Sequence, residues 1–410
     1  MSEFVFNEGY NNNPFIFDKG IGSKIYIKNK EYIDLSFSAG SLLLGHQSKV
    51  FVDSLKQLIK KKISILATPN KQALEFSKVL KKILPNYSKF IFCSTGSEAV
   101  MKSIRISKAI TKKKLIICVT GSWHGSNDKT LFAANNKLKC YPISNGLSKY
   151  DQENIRFIPY RDMKTSKRIL DKFKKDIACI LIEPIQAGLP DLDALDYLKF
   201  LNTYSKKNNK ILIFDEMITG LRTNCHSVQS VYKLRPNITT LGKCFGGGMP
   251  IGIIAINRNI EKKLKREKFK VFFGGTFSGN SISTFVGKQT VEFILKNKKK
   301  IFGQLEKNRV FFYEGLQNII EKNKINVTFF NFHSMFRIVF SKNKVSNRIQ
   351  RDFFEKKNIK KITLFRKFLL SKGIYYPSNG IIFLSYKTSI NDIKQILNNF
   401  EIGLKKYFKN

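Results

Sequence analysis

Five runs of almost unbroken apolar character punctuate the middle of the chain: Phe90-Ile91-Phe92, Leu115-Ile116-Ile117-Cys118-Val119, Ala178-Cys179-Ile180-Leu181-Ile182, Ile211-Leu212-Ile213-Phe214 and Ile253-Ile254-Ala255-Ile256. Stretches with helical spacing lie between them. Strands that are apolar at every position are buried on both faces, so the pattern predicts an α/β fold with a large, mostly parallel sheet covered by helices. The helix that follows Cys93 illustrates the spacing. Ala99, Val100, Ser103, Ile104, Ile106 and Ile110 form its buried face, which leaves Lys102, Arg105 and Lys108 to point outward.

The two ends read differently. Lys24 to Ile27 alternates, Asn29-Lys30-Glu31 turns and Tyr32 to Leu35 continues, the signature of a small hairpin. Helices are expected over 49–61 and 71–82, with a turn at Pro85-Asn86. Beyond about residue 280 a long helical region carries Lys298-Lys299-Lys300 as a solvated face. It precedes strands near Val327 and over Phe336–Phe340, a helix at Leu364–Ser371, the segment Ile374–Pro377, a strand at Ile381–Leu384 and a last amphipathic helix from Asn391. This order predicts an N-terminal segment, 1–45, that joins a small domain; a large domain over 46–290; and a C-terminal small α+β domain over 291–410.

Composition changes this picture little. The 410 residues carry 73 Lys+Arg against 30 Asp+Glu, a formal net charge of +43. Nucleic-acid binding needs clustered basic residues, whereas these are scattered through every segment. Asn, Ile, Phe and Tyr, which like Lys have codons rich in A and T, are abundant too. A biased genome accounts for the surplus, and no nucleic-acid partner is expected. The six cysteines form no CxxC pair, which points to a reducing compartment without disulfides or a zinc site. The N-terminus lacks the features of a signal peptide and no apolar run reaches the length of a membrane span, so a cytoplasmic protein without membrane partners is expected. His46, among small and apolar residues, is expected to be packed or capping.

Four stretches carry candidate chemistry. Ser94-Thr95-Gly96-Ser97-Glu98-Ala99 follows a strand and opens a helix, where unpaired N–H groups suit an anion such as a phosphate; the same residues would also serve a plain helix cap. Gly121-Ser122-Trp123-His124-Gly125 places the single tryptophan at the carboxyl end of a strand, where open α/β sheets bind ligands and an indole can stack on a flat ring or act as a core or lid aromatic. Phe214-Asp215-Glu216 puts a carboxylate after an apolar strand, where it calls for a metal, an arginine or a protonated ring nitrogen; the lack of ligand spacing nearby makes metal the weakest of these. Finally, Thr239 to Pro250 sets one lysine, Lys243, among small residues with Gly246-Gly247-Gly248 behind it. A desolvated lysine becomes a nucleophile able to form a Schiff base. A phosphate-binding loop would need glycines before the lysine and Ser or Thr after it, but Cys244 follows. A phosphate cup, a stacking ring, a carboxylate for a ring nitrogen and an amine for an aldehyde are together complementary to pyridoxal 5'-phosphate (PLP).

Those stretches, with Ile182-Glu183-Pro184, Ile213 to Arg222, Gly275-Thr276-Phe277-Ser278-Gly279-Asn280 and Gly373 to Ser378, are colinear over roughly residues 20–400 with the fold-type I, class III aminotransferases, which the chain resembles. Within that class it is most similar to the glutamate-1-semialdehyde aminomutases. The resemblance implies that Lys243 forms the Schiff base and later moves the proton, and that Asp215 pairs with the ring nitrogen. It further implies that Trp123 stacks where the family often has Tyr or Phe, with His124 beside the cofactor. Thr95, Gly96 and Ser97 would hold the phosphate, and Thr276 would reach it from a neighbouring subunit, so a homodimer with shared active sites is expected. Glu183 and Glu216 resemble supporting residues.

Departures concern the substrate. The aminomutase segment that receives the substrate carboxylate contains an arginine, whereas Asn11-Asn12-Asn13-Pro14-Phe15-Ile16-Phe17 has none. Arg161 and Arg222 are the remaining candidate carboxylate partners. The expected activity is transfer of an amino group between an amine or amino acid and a carbonyl compound, with the aminomutase reaction as the alternative.

Overall fold

The computed structural model describes residues 16–66, 68–191, 193–266, 270–343 and 345–409. Most of the arginine-free segment at 11–17 therefore lies outside the described residues. The chain divides into two compact units, one formed by residues up to Val52 together with Asn297 onward, the other by Asp53–Lys296.

The larger unit is built on a seven-stranded sheet. We number its strands β1 (Tyr87–Cys93), β2 (Leu115–Val119), β3 (Ile155–Ile158), β4 (Ile177–Ile182), β5 (Ile211–Asp215), β6 (Ile238–Gly242) and β7 (Gly252–Asn257). Their spatial order is β1-β7-β6-β5-β4-β2-β3. All neighbouring pairs from β6 to β3 are parallel, while β7 runs antiparallel to both β6 and β1. Since β7 alone is reversed, the carboxyl ends of the other six strands share one edge, where a doubly covered sheet offers its ligand crevice. Strands β2, β4, β5 and β6 are buried at every position, as the apolar runs of the first three require. Strand β6 was not expected, because Thr239, Thr240 and Gly242 interrupt its apolar character, and neither was β3.

Helix α1 (Gly96–Thr111) packs Ala99, Val100, Ser103, Ile104 and Ile106 inward, as expected, but the outward placement of Lys102 needs correction. Lys102 is 2% exposed. Its ammonium is bound by Glu98 and donates to the carbonyl of Phe273 at 2.6 Å, so a segment from far along the chain covers that side of the helix. Arg105 is exposed and Lys108 partly so.

In the smaller unit Lys24–Ile27 and Lys30–Asp34 form the expected hairpin, with Tyr26 opposite Glu31. Ile374–Tyr375 adds to it in parallel. His46 is packed, its Nε2 2.8 Å from Asp34 Oδ2. The helix over Lys298–Lys322 does present Lys298, Lys299 and Lys300 to solvent. A three-stranded antiparallel sheet (Thr328–Phe332, Met335–Val339, Ile381–Phe383) packs through Phe312, Phe336, Phe365 and Phe400 against the helices. The last helix, Ile390–Phe408, starts with a capping box from Ser389 and Asp392. Among the described residues no helix is long and apolar enough to cross a membrane.

Candidate active site

The shared strand edge gathers most of the residues singled out above. Beyond β1, Thr95 takes the N-cap of α1 in an extended conformation and its Oγ1 accepts from the Glu98 N–H at 3.1 Å. The capping role of Thr95 is thus realised in its side chain. Gly96 and Ser97 occupy the first two helical positions, whose N–H groups an α-helix cannot pair internally. Ser97 Oγ accepts from the Ser126 N–H at 3.0 Å. That approach requires Gly125: a Cβ there would lie 2.3 Å from Ser97 Oγ, and its φ of +82° is left-handed. The loop after β2 is thereby fastened to the helix start.

Beyond β5, Asp215 is 3% exposed, so an unpaired carboxylate would be costly. It is held on both oxygens. His124 Nδ1 lies 2.8 Å from Oδ2. On the other side Thr240 Oγ1 donates to Oδ1 at 2.9 Å and the Met217 N–H does so at 3.2 Å. Since a carboxylate accepts, the network assigns the proton to His124 Nδ1. His124 is itself buried, and among the described residues its Nε2 has no hydrogen-bond partner. Thr240 reaches Asp215 from β6, in register with it; this support was not anticipated, although two threonines inside an otherwise apolar strand were its visible signal.

Lys243 begins a short 3-10 turn directly after β6, with φ +49° in the left-handed region. Glycine surrounds it for steric reasons. A Cβ on Gly242 would come within 2.6 Å of Met217 Sδ and 2.8 Å of the Ile251 carbonyl. Burial lowers the pKa of the Lys243 ammonium below the usual lysine range, and the Arg222 guanidinium adds to the effect, opposed by Cys244, Glu183 and Asp215. Arg222, Cys244, Glu183 and Asp215 are therefore close enough to act on the charge of the Lys243 amine.

The other candidates have partners of their own. Trp123 is 45% exposed, and its backbone N–H donates to Glu183 Oε2 at 2.7 Å. Glu216, fully buried, accepts from the N–H groups of Val228 (2.7 Å) and Gln229 (3.1 Å) and from Thr219 Oγ1 (3.0 Å), yet burial still raises its pKa. Its bonds fix the chain after Asp215. Arg222 is buried and its Nε donates to the Ile218 carbonyl at 2.9 Å. Arg161 lies over the Tyr160 ring and pairs with Asp191 at 2.9 Å. Both guanidiniums thus already have partners within the chain. Thr276 is exposed in the turn at 276–279.

A ligand suited to this edge carries an anionic group for the first turn of α1, a protonatable ring nitrogen for the buried Asp215 and a carbonyl for the desolvated amine. PLP has all three, and the residues present fit it.

Comparison with known proteins agrees. The family model for class-III aminotransferases matches residues 5–349. The glutamate-1-semialdehyde 2,1-aminomutase of Thermodesulfovibrio yellowstonii is 33% identical over 390 residues, covering 93% of this chain and 90% of the relative. That of Methanosphaera stadtmanae is 32% identical over 405 residues, covering 97% and 93%. Among solved structures, a glutamate-1-semialdehyde aminomutase from Pseudomonas aeruginosa superposes with a TM-score of 0.87 at 15% identity, covering 97% of this chain and 89% of that one. An omega-transaminase from Sphaerobacter thermophilus gives 0.85 at 20% identity, covering 95% and 90%; at such identities these two speak to the fold, which they share with this chain. By family model and by its relatives, the chain belongs to the class-III aminotransferases and is a PLP-dependent enzyme.

Proposed function

We propose that this enzyme transfers an amino group between a small amine or amino acid and a carbonyl compound, with Lys243 as the residue that holds the cofactor. The observation that carries the reading is the desolvated Lys243 amine, presented at the strand edge that also holds the buried Asp215–His124 pair. When bound, PLP supplies an electron sink that permits a proton to leave the carbon bearing the amino group. The protein's contribution is positional and electrostatic. The N–H groups of Gly96 and Ser97, with the Thr95 hydroxyl beside them, would hold the phosphate at the positive end of α1. Asp215 keeps a proton on the ring nitrogen, and His124 and Thr240 hold its carboxylate in place. Trp123, exposed in the loop after β2, would stack on the ring. With PLP bound, Lys243 Nζ would be the group that takes up the proton and returns it to a different carbon, a task suited to an amine whose pKa burial has lowered. Thr276 completes the phosphate site from a second copy of the chain, so the working unit is a homodimer.

A second reading, the conversion of glutamate 1-semialdehyde to 5-aminolevulinate, has its own support in the relatives named for that reaction. Against it stand the absence of arginine at 11–17 and the pairing of Arg161 with Asp191. One experiment separates the two. Candidate amines, amino acids and amino sugars are added to the PLP-loaded enzyme and bleaching of the visible cofactor band is followed, with glutamate 1-semialdehyde run in parallel. Transfer requiring separate donor and acceptor supports the first reading; 5-aminolevulinate from the semialdehyde alone supports the second. A purified protein that takes up no PLP, or whose borohydride-fixed adduct maps to a residue other than Lys243, overturns both.

A further inference from the structure

Lys102 has no part in the chemistry above, yet it is among the most deeply buried cations described. Its side chain is 2% exposed, and its ammonium contacts Glu98, the carbonyls of Phe273 (2.6 Å) and Gly274 (3.3 Å), and Ser278 Oγ (3.4 Å). Glu98 is the third residue of α1. Its other oxygen accepts from the Ser94 N–H at 2.7 Å, and Ser278 Oγ donates to the first at 3.1 Å. Burial opposes the charge on Glu98, but the bonds from Lys102, Ser94 and Ser278 together pull its pKa below the usual carboxylate range.

We propose that Lys102 is a positioning residue for cofactor binding: it cancels the Glu98 carboxylate at the phosphate-binding end of α1 and ties that end to the 273–278 segment. The proposal rests on the reading that the Gly96 and Ser97 amides receive the phosphate of PLP. A fixed negative charge in the same helical turn as those amides opposes a phosphate dianion, and the opposition is strong where water is excluded. Lys102 neutralises it from the protected side. Its remaining N–H bonds go to backbone carbonyls of a segment that carries Thr276, so the same cation that removes the repulsion also sets where that segment leaves the helix. The pair is therefore more than an i,i+4 surface bridge, which would contribute little.

The test compares PLP with pyridoxal, which lacks the phosphate, by equilibrium dialysis against wild type, Lys102→Met, Glu98→Gln and the double variant. Lys102→Met is expected to raise the Kd for PLP on the order of tenfold while changing that for pyridoxal less than about twofold, and the double variant to recover PLP affinity to within about threefold of wild type. Glu98→Gln alone should bind PLP more tightly than wild type. Equal weakening of both ligands by Lys102→Met, no weakening of either, or a double variant no better than the single would overturn the proposal. Should Lys102→Met not fold, Glu98→Gln decides by itself: it leaves the Lys102 cation uncompensated, so tighter PLP binding with pyridoxal unchanged supports a charge felt at the phosphate site, and unchanged or weaker PLP binding refutes it. A wild type that fails to bind PLP overturns the phosphate-site reading and this proposal with it, whereas a wild type that binds PLP beside an unaffected Lys102→Met overturns this proposal alone.

Discussion

Replacing His124 with phenylalanine asks how much of the Asp215 function depends on its buried neighbour. The ring is kept and the Nδ1–H donor is lost, leaving Oδ2 without the partner that lies at 2.8 Å, while Thr240 and Met217 still hold Oδ1. A hydrogen bond to a charged group contributes about 1.5–3 kcal/mol. At 1.36 kcal/mol per factor of ten, its loss corresponds to roughly 10- to 150-fold in any step that needs the carboxylate fixed and ionised. The assay is stopped-flow bleaching of the cofactor band under saturating amine, which isolates the chemical half-reaction from substrate binding. His124→Asn, whose amide can still donate, should retain more of the rate. If His124→Phe reacts within about threefold of wild type while Asp215→Ala is inert, His124 does not hold the carboxylate in the working enzyme and the pairing at 2.8 Å is a packing contact.

Other perturbations test neighbouring parts of the site. Gly125→Ala forces a Cβ to within 2.3 Å of Ser97 Oγ at a φ of +82°; a left-handed penalty of about 1–2 kcal/mol predicts PLP binding weakened roughly 5- to 30-fold by dialysis, and unchanged binding would mean that the β2 loop does not shape the cup. Lys243→Ala should remove at least the 10²–10⁴-fold or so that a positioned base contributes. Its effect on stability has a definite sign. Burial lowers the folded-state pKa of Lys243 below the usual 10.5, so the unfolded chain binds more protons in the window between the two values. The cost to wild type is therefore full below the folded-state value and fades as pH rises towards 10.5, and PLP-free Lys243→Ala should melt above PLP-free wild type at neutral pH, with the gap closing in alkaline buffer. A gap that widens with pH would contradict a desolvated amine. Arg161→Gln, given the 2.9 Å pairing with Asp191, should leave KM within about threefold for carboxylate-bearing and carboxylate-free amines alike, on the scale of an ion pair still partly open to water; a rise of tenfold or more confined to the former would make Arg161 a substrate clamp.

The sequence yields some of this architecture directly and conceals the rest for identifiable reasons. Strands β2, β4 and β5 are legible because a strand buried on both faces must be apolar at every position, and their carboxyl ends then point to Trp123, Glu183 and Asp215 without further information. Strand β6 is hidden by Thr239 and Thr240, and the feature that hides it is the one the site requires. Thr240 is spent on Asp215, and Thr239 Oγ1 lies 2.6 Å from the Tyr87 hydroxyl and 2.8 Å from Gln229 Nε2. A buried polar group is affordable where its bonds are complete, so an interruption in an apolar run can mark a functional strand as readily as its end. Lys102 shows a different limit. A helical wheel reports which residues share a face, and by that criterion Glu98 and Lys102 form an ordinary solvated i,i+4 pair. What covers the face is decided by residues 273–278, about 170 positions away in the chain, whose carbonyls have no signature in side-chain pattern. In a chain with 73 Lys+Arg, charge type says little about exposure. Lys243 stands out because small residues and glycines leave it room; Lys102 has no such local mark, since what closes over it comes from a distant segment, largely as backbone carbonyls.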